Sequence, residues 1–455
     1  MNVDVIVYLS KKLLEDFEGG QAIEQLKNAS VLPGVYRNVV GMPDIHTGFG
    51  LPIGGVMATK APNGIISAGS VGMDINCGVR LLTSNIMAKD VDKRTFRRLM
   101  NVIEDKIPTG VGRKSMHSYL YQSHFEDIVH GGARKLIDMG YGRQEDLECI
   151  EEHGEFEGAD INAVSERAIS RGDQLATLGG GNHFIDIGRI NNIYDKELAK
   201  NFGIKEGTIS IMIHTGSRGF GHQICTDYSR TMVNAAHKHD ISLPDRGLAC
   251  VPINSREGKN YYKAMACAIN FAFANRQLIT HNVREAFSEV FNENDEKMGL
   301  DLVYDVAHNI AKFENHFGEE LLVHRKGATR ALCPGHPSNP DRYMETGHPA
   351  IVPGSMGTAS YVVVGTGSAD ETFFSVNHGA GRVLSRRAAR REISRNEFNK
   401  AMENVLYSVR NYKKVLDEAP QAYKDIDEVV DTLADIGITK KVADIMPLAV
   451  IKGED

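Results

Sequence analysis

Residues 208–219 read Thr-Ile-Ser-Ile-Met-Ile-His-Thr-Gly-Ser-Arg-Gly, an apolar and β-branched run that ends in a glycine-containing turn. Such a run predicts a buried strand, and the glycine predicts that this strand ends in a tight loop. Similar runs bordered by glycine clusters occur at Val35–Val40, Leu302–Val306, Tyr361–Val364 and Thr372–Val376. The pattern therefore predicts central β-sheets, with an active site at strand ends and in glycine-rich loops.

Periodic apolar residues predict helices between these strands. The predicted helices cover about 11–27, 92–105, 160–176, 222–239, 260–291, 383–403 and 422–435. Strands and helices do not alternate strictly, so the pattern favours an α/β class of mixed α+β type over a doubly wound sheet. We expect a single large domain over residues 1–455, with a candidate helical insertion at approximately 255–295.

The composition places limits on the function. An apolar fraction of 42% is ordinary for a soluble globular protein, and we expect no membrane span, since such a span needs about 18 apolar residues in a row. Six cysteines without a C-x-x-C pair favour a reducing, cytoplasmic location, and the N-terminus lacks the features of a secretion signal. A net charge of −7 argues against a protein that coats nucleic acid, although a local basic groove is compatible with it.

An arginine run follows a glycine-flanked histidine, His378, near the C-terminal third of the chain. The run consists of Arg382, Arg386, Arg387, Arg390, Arg391 and Arg395. Spacings of four place several of these guanidinium groups along one helix face. Two interpretations remain open, a solvated helix face and a surface that contacts phosphates.

The segment Val71–Arg80 sets a carboxylate, Asp74, three residues before a thiol, Cys77. On an extended strand these side chains would point to opposite faces, so they can share a metal only if the chain turns between them. Asn76 and Gly78 are residues that tolerate such a turn. Oxygen and sulfur donors together favour Mn, Fe, Co or Zn over Mg or Ca. A single thiolate can also bridge two cations, whereas the other five cysteines are most simply buried, small apolar groups.

Three histidines lie at the ends of predicted strands and are candidate ligands for the same site. They are His183, after a triglycine, His214 and His308. Each is also compatible with an ordinary core imidazole, because no H-x-x-x-H signature accompanies them. A further pair, Asp44 and His46, lies in a glycine turn and is compatible with a ligand, with support of a ligand, or with a simple turn.

Two loops have the composition of anion-binding segments. Pro353–Ser360 combines small residues, hydroxyls and free backbone N–H groups, although a tight structural turn has the same composition. In the second loop, Gly379 and Gly381 leave space around His378, and Arg382 can neutralise phosphate oxygens. Neutral imidazole is a competent nucleophile for a nucleotide α-phosphate. His378 is therefore a candidate nucleophile, with a metal-ligand role and a structural role as alternatives.

Taken together, these segments resemble the RtcB family of RNA-splicing ligases. The matching stretches are Pro43–Gly48, Gly72–Arg80, Gly180–Phe184, His214–Gly219, His308–Asn309, Pro353–Ser360, His378–Arg382 and Lys452–Gly453. They span nearly the whole chain in the order of the family. The resemblance implies an RtcB-like domain and a GTP- and Mn²⁺-dependent ligase, acting in RNA splicing or repair and including tRNA among its possible substrates.

The resemblance also implies a reaction. RNA ends with a 3′-phosphate or 2′,3′-cyclic phosphate are joined to a 5′-hydroxyl through GMP carried on His378. One Mn²⁺ would be held by Asp74, Cys77 and His183, and a second by Cys77, His214 and His308. RNA and GTP are the implied partners, and a protein activator is left open.

Nucleotide contacts follow from the same resemblance. They are Asn182, His183, Phe184, Ile185, Asp186, His308, Asn309, Pro353, Gly354, Ser355, Met356, Ser360, His378, Gly379, Ala380, Gly381 and Lys452, with Tyr423 as a base-stacking residue. Asp186 departs from the family pattern, which usually has glutamate there, so its reach toward a nucleotide is shorter. Two rival functions remain, a binuclear phosphodiesterase and a nonenzymatic RNA-binding subunit.

Overall fold

The computed structural model describes residues 3–15, 17, 20–409 and 412–453. The remaining positions of the predicted 1–455 domain lie outside the described residues. The strands are β1 Asp4–Val7, β2 Val35–His46, β3 Ile53–Lys60, β4 Ile65–Ser67, β5 Gly78–Leu82, β6 Phe184–Ile193, β7 Ile209–Thr215, β8 Cys250–Pro252, β9 Leu302–Ala307, β10 Asn309–His316, β11 Glu319–Lys326, β12 Ala328–Arg330, β13 Pro349–Val352, β14 Ser360–Gly365, β15 Ser375–Asn377, β16 Leu406–Tyr407 and β17 Thr439–Lys452. The helices are α1 Lys11–Glu15, α2 Gly20–Ser30, α3 Lys93–Lys106, α4 Ser118–Asp138, α5 Glu166–Ile169, α6 Lys196–Asn201, α7 Arg218–Ala236, α8 Arg256–Phe291, α9 Arg386–Glu392, α10 Arg395–Ala401 and α11 Ile426–Asp435.

The larger sheet has the strand order β13-β14-β17-β6-β7-β5-β9, with β16 added beside β17. All of its pairs are antiparallel except β16 with β17. The two edge strands, β13 and β9, approach within 8 Å between Cα atoms, so this sheet is nearly closed. The mixed α+β class predicted from the sequence is confirmed.

The long helix α8 lies at the centre of the largest hydrophobic core. Its residues from Ala264 to Thr280 are buried without interruption, and α3, α4 and α7 pack against it. A helix that is buried on every side is typical of the interior of a large domain. The helix predicted at 260–291 is therefore present as a core element, and its description as an insertion stays a prediction.

A second, five-stranded sheet has the order β1-β2-β3-β11-β10. Its strand β2 ends at His46, and the short pair β12–β15 connects the region after β11 with the loop that carries His378. In this pair Ala328 lies opposite Asn377, and the backbone N–H of Ala328 donates to the carbonyl of His308 at 3.2 Å. The two sheets therefore meet where the sequence motifs are concentrated.

Three predicted helices differ from the structure. Residues 160–176 form only the short helix α5 and 3₁₀ turns, because Asp160 and Ser165 cap short turns with their side chains. Residues 383–403 form two short helices, α9 and α10, since Ser394 caps the second one at its start. The helix predicted at 11–27 is described as α1 and α2, and residues 16, 18 and 19 of that range lie outside the described residues.

Candidate active site

Four strands of the larger sheet bring the candidate metal ligands to one edge. Gly78, at the start of β5, lies opposite Thr215 on β7 and Ala307 on β9, while Phe184 on β6 lies opposite His214. In this register Cys77 precedes Gly78 and the backbone N–H of His308 donates to the Cys77 carbonyl at 2.9 Å. Strand pairing thus assembles donors that are far apart in sequence.

The chain turns between Asp74 and Cys77, as sharing a metal requires. The backbone N–H of Cys77 donates to the Asp74 carbonyl at 3.0 Å, and Asn76 has φ 53° in the left-handed region. Asparagine tolerates that conformation better than most residues. The side chain of Asp74 approaches Gly216 so closely that a Cβ there would lie 2.5 Å from Oδ2. A side chain at position 216 would therefore displace this carboxylate.

The donor atoms form two groups that share Cys77. In the first group, Nε2 of His183 lies 2.8 Å from Asp74 Oδ2 and 3.4 Å from Cys77 Sγ. In the second, Nε2 of His214 lies 3.5 Å from Cys77 Sγ and 3.3 Å from Nε2 of His308. Within each group the ligand atoms lie within 4.8 Å of one another.

This geometry fits two cations with a common thiolate. Atoms that ligate one cation at about 2.0–2.3 Å are separated from each other by roughly 3–3.7 Å. The distances between Cys77 Sγ and the two histidine nitrogens, and between His214 and His308, fall in that range. A set of sulfur, nitrogen and oxygen donors also matches a borderline transition metal. The residues predicted as ligands are thus brought together in the arrangement that a binuclear centre requires.

Electrostatics in the ligand cluster agree with this fit. Burial lowers the pKa of His214 and His308 well below the usual histidine range, so both rings are neutral and offer a lone pair. Burial, and then the charge of Asp74, raises the pKa of the Cys77 thiol well above its usual value. A bound dication reverses this preference, because it stabilises the thiolate directly.

Helix α8 holds the ligand loops from behind, a role that sequence analysis missed. The guanidinium of Arg276 donates to the carbonyls of Asn76 and Thr215 at 2.8 and 2.9 Å, and it forms an ion pair with Asp305 at 2.9 Å. Arg276 and Asp305 are both fully buried. A buried ion pair with further hydrogen bonds fixes geometry more than it adds stability. The only sequence signal was an arginine in an otherwise apolar helical run.

His378 lies beside the second donor group and is held by Asp44. The rings of His378 and His308 have centroids 4.8 Å apart. Asp44 Oδ2 accepts hydrogen bonds from Nδ1 of His378 at 2.6 Å and from its backbone N–H at 3.0 Å. Among the residues that the structure describes, none is hydrogen bonded to Nε2 of His378, so this nitrogen is available for chemistry.

Asp44 is therefore placed to orient His378, a contact that the three interpretations of the Asp44–His46 turn did not include. Asp44 is fully buried. Lys424 donates to the carbonyls of Pro43 and Ile45, on either side of Asp44, at 2.9 and 2.8 Å. Burial lowers the pKa of Lys424 to about 8. Sequence analysis did not identify Lys424, since a lone lysine near the C-terminal region carries no motif.

Gly381 allows the His378 loop to pack against β2. It has φ 73°, and a Cβ there would lie 2.3 Å from the Asp44 carbonyl oxygen. Glycine is required at position 381 for this close packing, and it also leaves space for a phosphate that approaches His378. Gly379 is less restricted, because its Cβ would meet only the Pro353 carbonyl at 3.1 Å.

A cavity of about 1220 Å³ opens beside His378, and we call it the main cavity. Its lining includes the predicted nucleotide contacts Asn182, Phe184, Asp186, Pro353, Gly354, Ser355, Met356, Ser360, His378, Gly379, Ala380, Gly381, Tyr423 and Lys452. The other predicted contacts are not part of this lining. His183 and His308 belong to the donor groups, Asn309 donates to the Asp74 carbonyl, and Ile185 points into the hydrophobic core.

The far side of the main cavity holds an ion-pair network. Lys452 is buried, lies 3.2 Å from Glu418 and contacts the His183 carbonyl at 3.4 Å. Glu418 also accepts a hydrogen bond from the Tyr423 hydroxyl at 2.6 Å. Arg382 stacks its guanidinium 4.9 Å from the Tyr423 ring centre. The network therefore fixes the edge of the cavity where the resemblance places the nucleotide base.

The arginine run is divided between two environments. Arg386 and Arg390 pair with the buried carboxylates Asp417 and Glu418. Arg391 is exposed and pairs with its neighbour Glu392. The run is thus not a uniform cationic face. This pairing was not predicted, because Asp417 lies 31 positions after Arg386 and 27 after Arg390 and has no periodic relation to the run.

Asp186 lies in the wall of the main cavity without a partner for Oδ1. Burial raises the pKa of its carboxyl to about 7. Since the folded pKa exceeds the unfolded value, this group makes the free energy of unfolding fall as pH rises from about 4 to 7. At pH 8 the buried charge costs roughly 4 kcal/mol as an upper limit.

We therefore expect Asp186→Asn to stabilise the protein relative to wild type, and to do so more at pH 8 than at pH 5. Thermal unfolding of metal-free protein at both pH values measures this difference. The control is Asp435→Asn, at an exposed position at the end of α11. An equal melting-temperature shift for Asp186→Asn at the two pH values would contradict the assignment of a buried, titrating carboxyl.

In the described part of the chain, no helix has both the length and the apolar character needed to cross a bilayer. A family model described as "tRNA-splicing ligase RtcB" matches residues 25–453. The tRNA-splicing ligase RtcB of Thermococcus kodakarensis is 46% identical over 461 residues, covering 100% of this chain and 95% of the relative. That of Pyrobaculum aerophilum is 47% identical, covering 99% of this chain and 95% of the relative. The RNA-splicing ligase RtcB of Mycobacterium bovis is 43% identical, covering 94% of this chain and all of the relative.

Proposed function

Since the chain belongs to the RtcB family of RNA-splicing ligases, we propose that it joins RNA ends by a GTP- and Mn²⁺-dependent reaction. Its RNA substrates carry a 3′-phosphate or 2′,3′-cyclic phosphate on one end and a 5′-hydroxyl on the other, with cleaved tRNA among them. The observation that supports this most is the position of His378, an oriented imidazole between a thiolate-bridged donor cluster and a large cavity.

The first step assigned to this chain is nucleophilic attack by His378. Asp44 accepts a hydrogen bond from Nδ1–H of His378, which leaves the lone pair of Nε2 directed toward the cavity. Nε2 forms a bond to the α-phosphorus of GTP, and the bond from that phosphorus to the leaving pyrophosphate oxygen breaks. The result is a GMP–histidine adduct, whose positive imidazolium charge is balanced by Asp44.

In the second step the RNA 3′-phosphate takes GMP from His378, and the imidazole becomes neutral again. The RNA 5′-hydroxyl then attacks the activated 3′-phosphorus, GMP leaves, and the hydroxyl proton is released. A 2′,3′-cyclic phosphate must first be hydrolysed to the 3′-phosphate. Each transfer breaks one phosphorus bond for each that forms, so no redox partner is needed.

The residues proposed to hold Mn²⁺ are Asp74, Cys77 and His183 for one ion and Cys77, His214 and His308 for the other. Bound Mn²⁺ supplies positive charge that polarises phosphoryl oxygens and stabilises the leaving group. Lys452 and the backbone N–H groups of the Pro353–Met356 loop are proposed to bind phosphates at the rim of the main cavity. Tyr423 offers a ring face to the guanine base.

We propose a cytoplasmic location, which the six free cysteines support since a reducing compartment keeps thiols unpaired. Four of these thiols besides Cys77 are also buried. The location has no part in the chemistry proposed above.

The function is tested with synthetic RNA pairs that differ only in their ends. We expect a joined product from a 3′-phosphate and a 5′-hydroxyl in the presence of GTP and Mn²⁺, and no product when the first end is a 3′-hydroxyl. Gel electrophoresis of end-labelled RNA measures the joining. Omitting GTP is the control for nucleotide dependence.

Two results would contradict the proposal. Joining of 3′-hydroxyl to 5′-phosphate ends would assign the opposite polarity of ligation. Metal-dependent cleavage of RNA without joining, and without a nucleotide on the protein, would favour the phosphodiesterase.

A further inference from the structure

A second cavity of about 620 Å³ shares Lys452 with the main cavity, and we call it the side groove. The other lining residues used below are Thr109, Gly110, Val111, Arg113, Ser408 and Lys414. Cavities of about 300–1,000 Å³ hold ligands the size of small molecules. The side groove therefore has room for one or two nucleotide units, and it is too small for a folded duplex.

The wall of the side groove is connected to the donor cluster by one side chain. The backbone N–H of Gly110 donates to the carbonyl of Leu178 at 2.9 Å, and Thr109 pairs with Leu178 in a parallel bridge. The guanidinium of Arg218 contacts the Gly110 carbonyl at 3.4 Å and Nδ1 of His183 at 3.5 Å. The wall of the side groove at Gly110 is thus separated from the proposed metal site by the length of one side chain.

Arg113 places a guanidinium in the lining of the side groove. It is exposed, and its guanidinium has no hydrogen bond or ion pair with any residue that the structure describes. In contrast, Arg382 and Arg386 beside the main cavity are paired with Asp417 and Glu418. An unpaired guanidinium in a groove is suited to bind a phosphate from outside.

The rest of the lining matches a nucleic-acid strand better than a protein surface. Lys414 adds a second cation, against one carboxylate from Glu104, whereas Lys452 is paired with Glu418. The Ser408 hydroxyl is polar, whereas Val111 is 71% exposed and offers an apolar surface to a base face. A cationic groove that follows the phosphate backbone is typical of single-strand binding.

We propose that the side groove binds the single-stranded RNA segment next to the reacting end, with Arg113 contacting a backbone phosphate. The choice of RNA as the ligand rests on the proposed function. The inference extends that function by assigning RNA to a surface separate from the GTP cavity. It gives the segment around residue 110, which carries no recognised motif, a role in substrate binding. Arg113 acts on affinity for RNA and takes no part in transfer of GMP.

The test compares Arg113→Glu with a matched control, Arg256→Glu. Arg256 is also exposed and, in the part of the chain that the structure describes, has no polar partner. It is the first residue of α8, whose Asn282 contacts the carbonyl of Lys106 near the groove at 3.2 Å. Asn282 lies twenty-six positions after Arg256 in this helix, which is about 39 Å along the helix axis. The control therefore reverses the same charge far from the groove.

Binding of a fluorescent single-stranded RNA with a 3′-phosphate is measured by anisotropy with Mn²⁺ and without GTP. We expect Arg113→Glu to raise Kd at least about tenfold and to lower the slope of log Kd against log salt by about 0.7, the value for one lost single-strand phosphate contact. Arg113→Gln should show the same change in slope with a smaller change in Kd. Arg256→Glu should bind like wild type.

Formation of the GMP adduct, measured by intact mass, should be equal in all four proteins and shows that each is folded. A Kd for Arg113→Glu within twofold of wild type would overturn the proposal, as would an equal loss in Arg256→Glu. If the side groove binds a protein partner and not RNA, the Kd of Arg113→Glu for RNA should stay within twofold of wild type. RNA binding is measured without GTP and does not depend on the adduct. Absence of an adduct on wild type would therefore count against the proposed function and not against RNA binding by the side groove.

Discussion

His378→Ala should carry no GMP after incubation with GTP and Mn²⁺, whereas the wild-type protein should gain the mass of one GMP. Alanine lacks the nitrogen that forms the bond to phosphorus, so the adduct cannot form, and ligation should fall by several orders of magnitude, as for other enzymes that lose their nucleophile. Intact-mass spectrometry under neutral conditions measures the adduct. Gel analysis of RNA joining measures the second effect.

A companion variant separates orientation from nucleophilicity. Asp44→Asn keeps His378 but replaces the carboxylate that accepts from Nδ1. Loss of an orienting carboxylate in a comparable arrangement costs about 10⁴ in rate, so adduct formation should be slow but should reach completion. Equal labelling of His378→Ala and wild type would remove the nucleophile assignment, and equal rates for Asp44→Asn and wild type would remove the orienting role of Asp44.

Cys77→Ser should lose both metal ions, because Cys77 belongs to both donor groups. A hydroxyl is a poor substitute for a bridging thiolate, since it is deprotonated far less readily. We expect Mn²⁺ affinity to fall by at least roughly 100-fold, more than the usual effect of changing a supporting residue. Isothermal titration and metal analysis after gel filtration measure affinity and stoichiometry.

Two variants serve as controls for this result. His183→Asn alters only the group with Asp74 and should leave one ion bound, while Cys225→Ser alters a buried thiol that lies outside both groups. The stoichiometries should therefore be two for Cys225→Ser, one for His183→Asn and none for Cys77→Ser at the same free Mn²⁺ concentration. Unchanged binding by Cys77→Ser would show that the thiolate does not bridge the ions.

The chemical types of the site residues, and their positions at strand ends, could be predicted from the amino-acid sequence. Runs such as Thr208–Ile213 are strands because β-branched and apolar residues favour a buried sheet, and glycine ends them. Sulfur, nitrogen and oxygen donors in Asp74, Cys77 and His214 indicated a transition metal before any geometry was available. These inferences depend on local composition, which a sequence contains in full.

Contacts between residues far apart in sequence became known from the folded structure. Asp44 and His378 are 334 positions apart, and their contact exists because β2 and the loop after β15 meet at the edge of the second sheet. Arg276 could not be assigned to the ligand loops from its helix alone, and Arg386 could not be assigned to Asp417. Strand register and helix packing bring these groups together, and both depend on the whole chain burying its apolar surface at once.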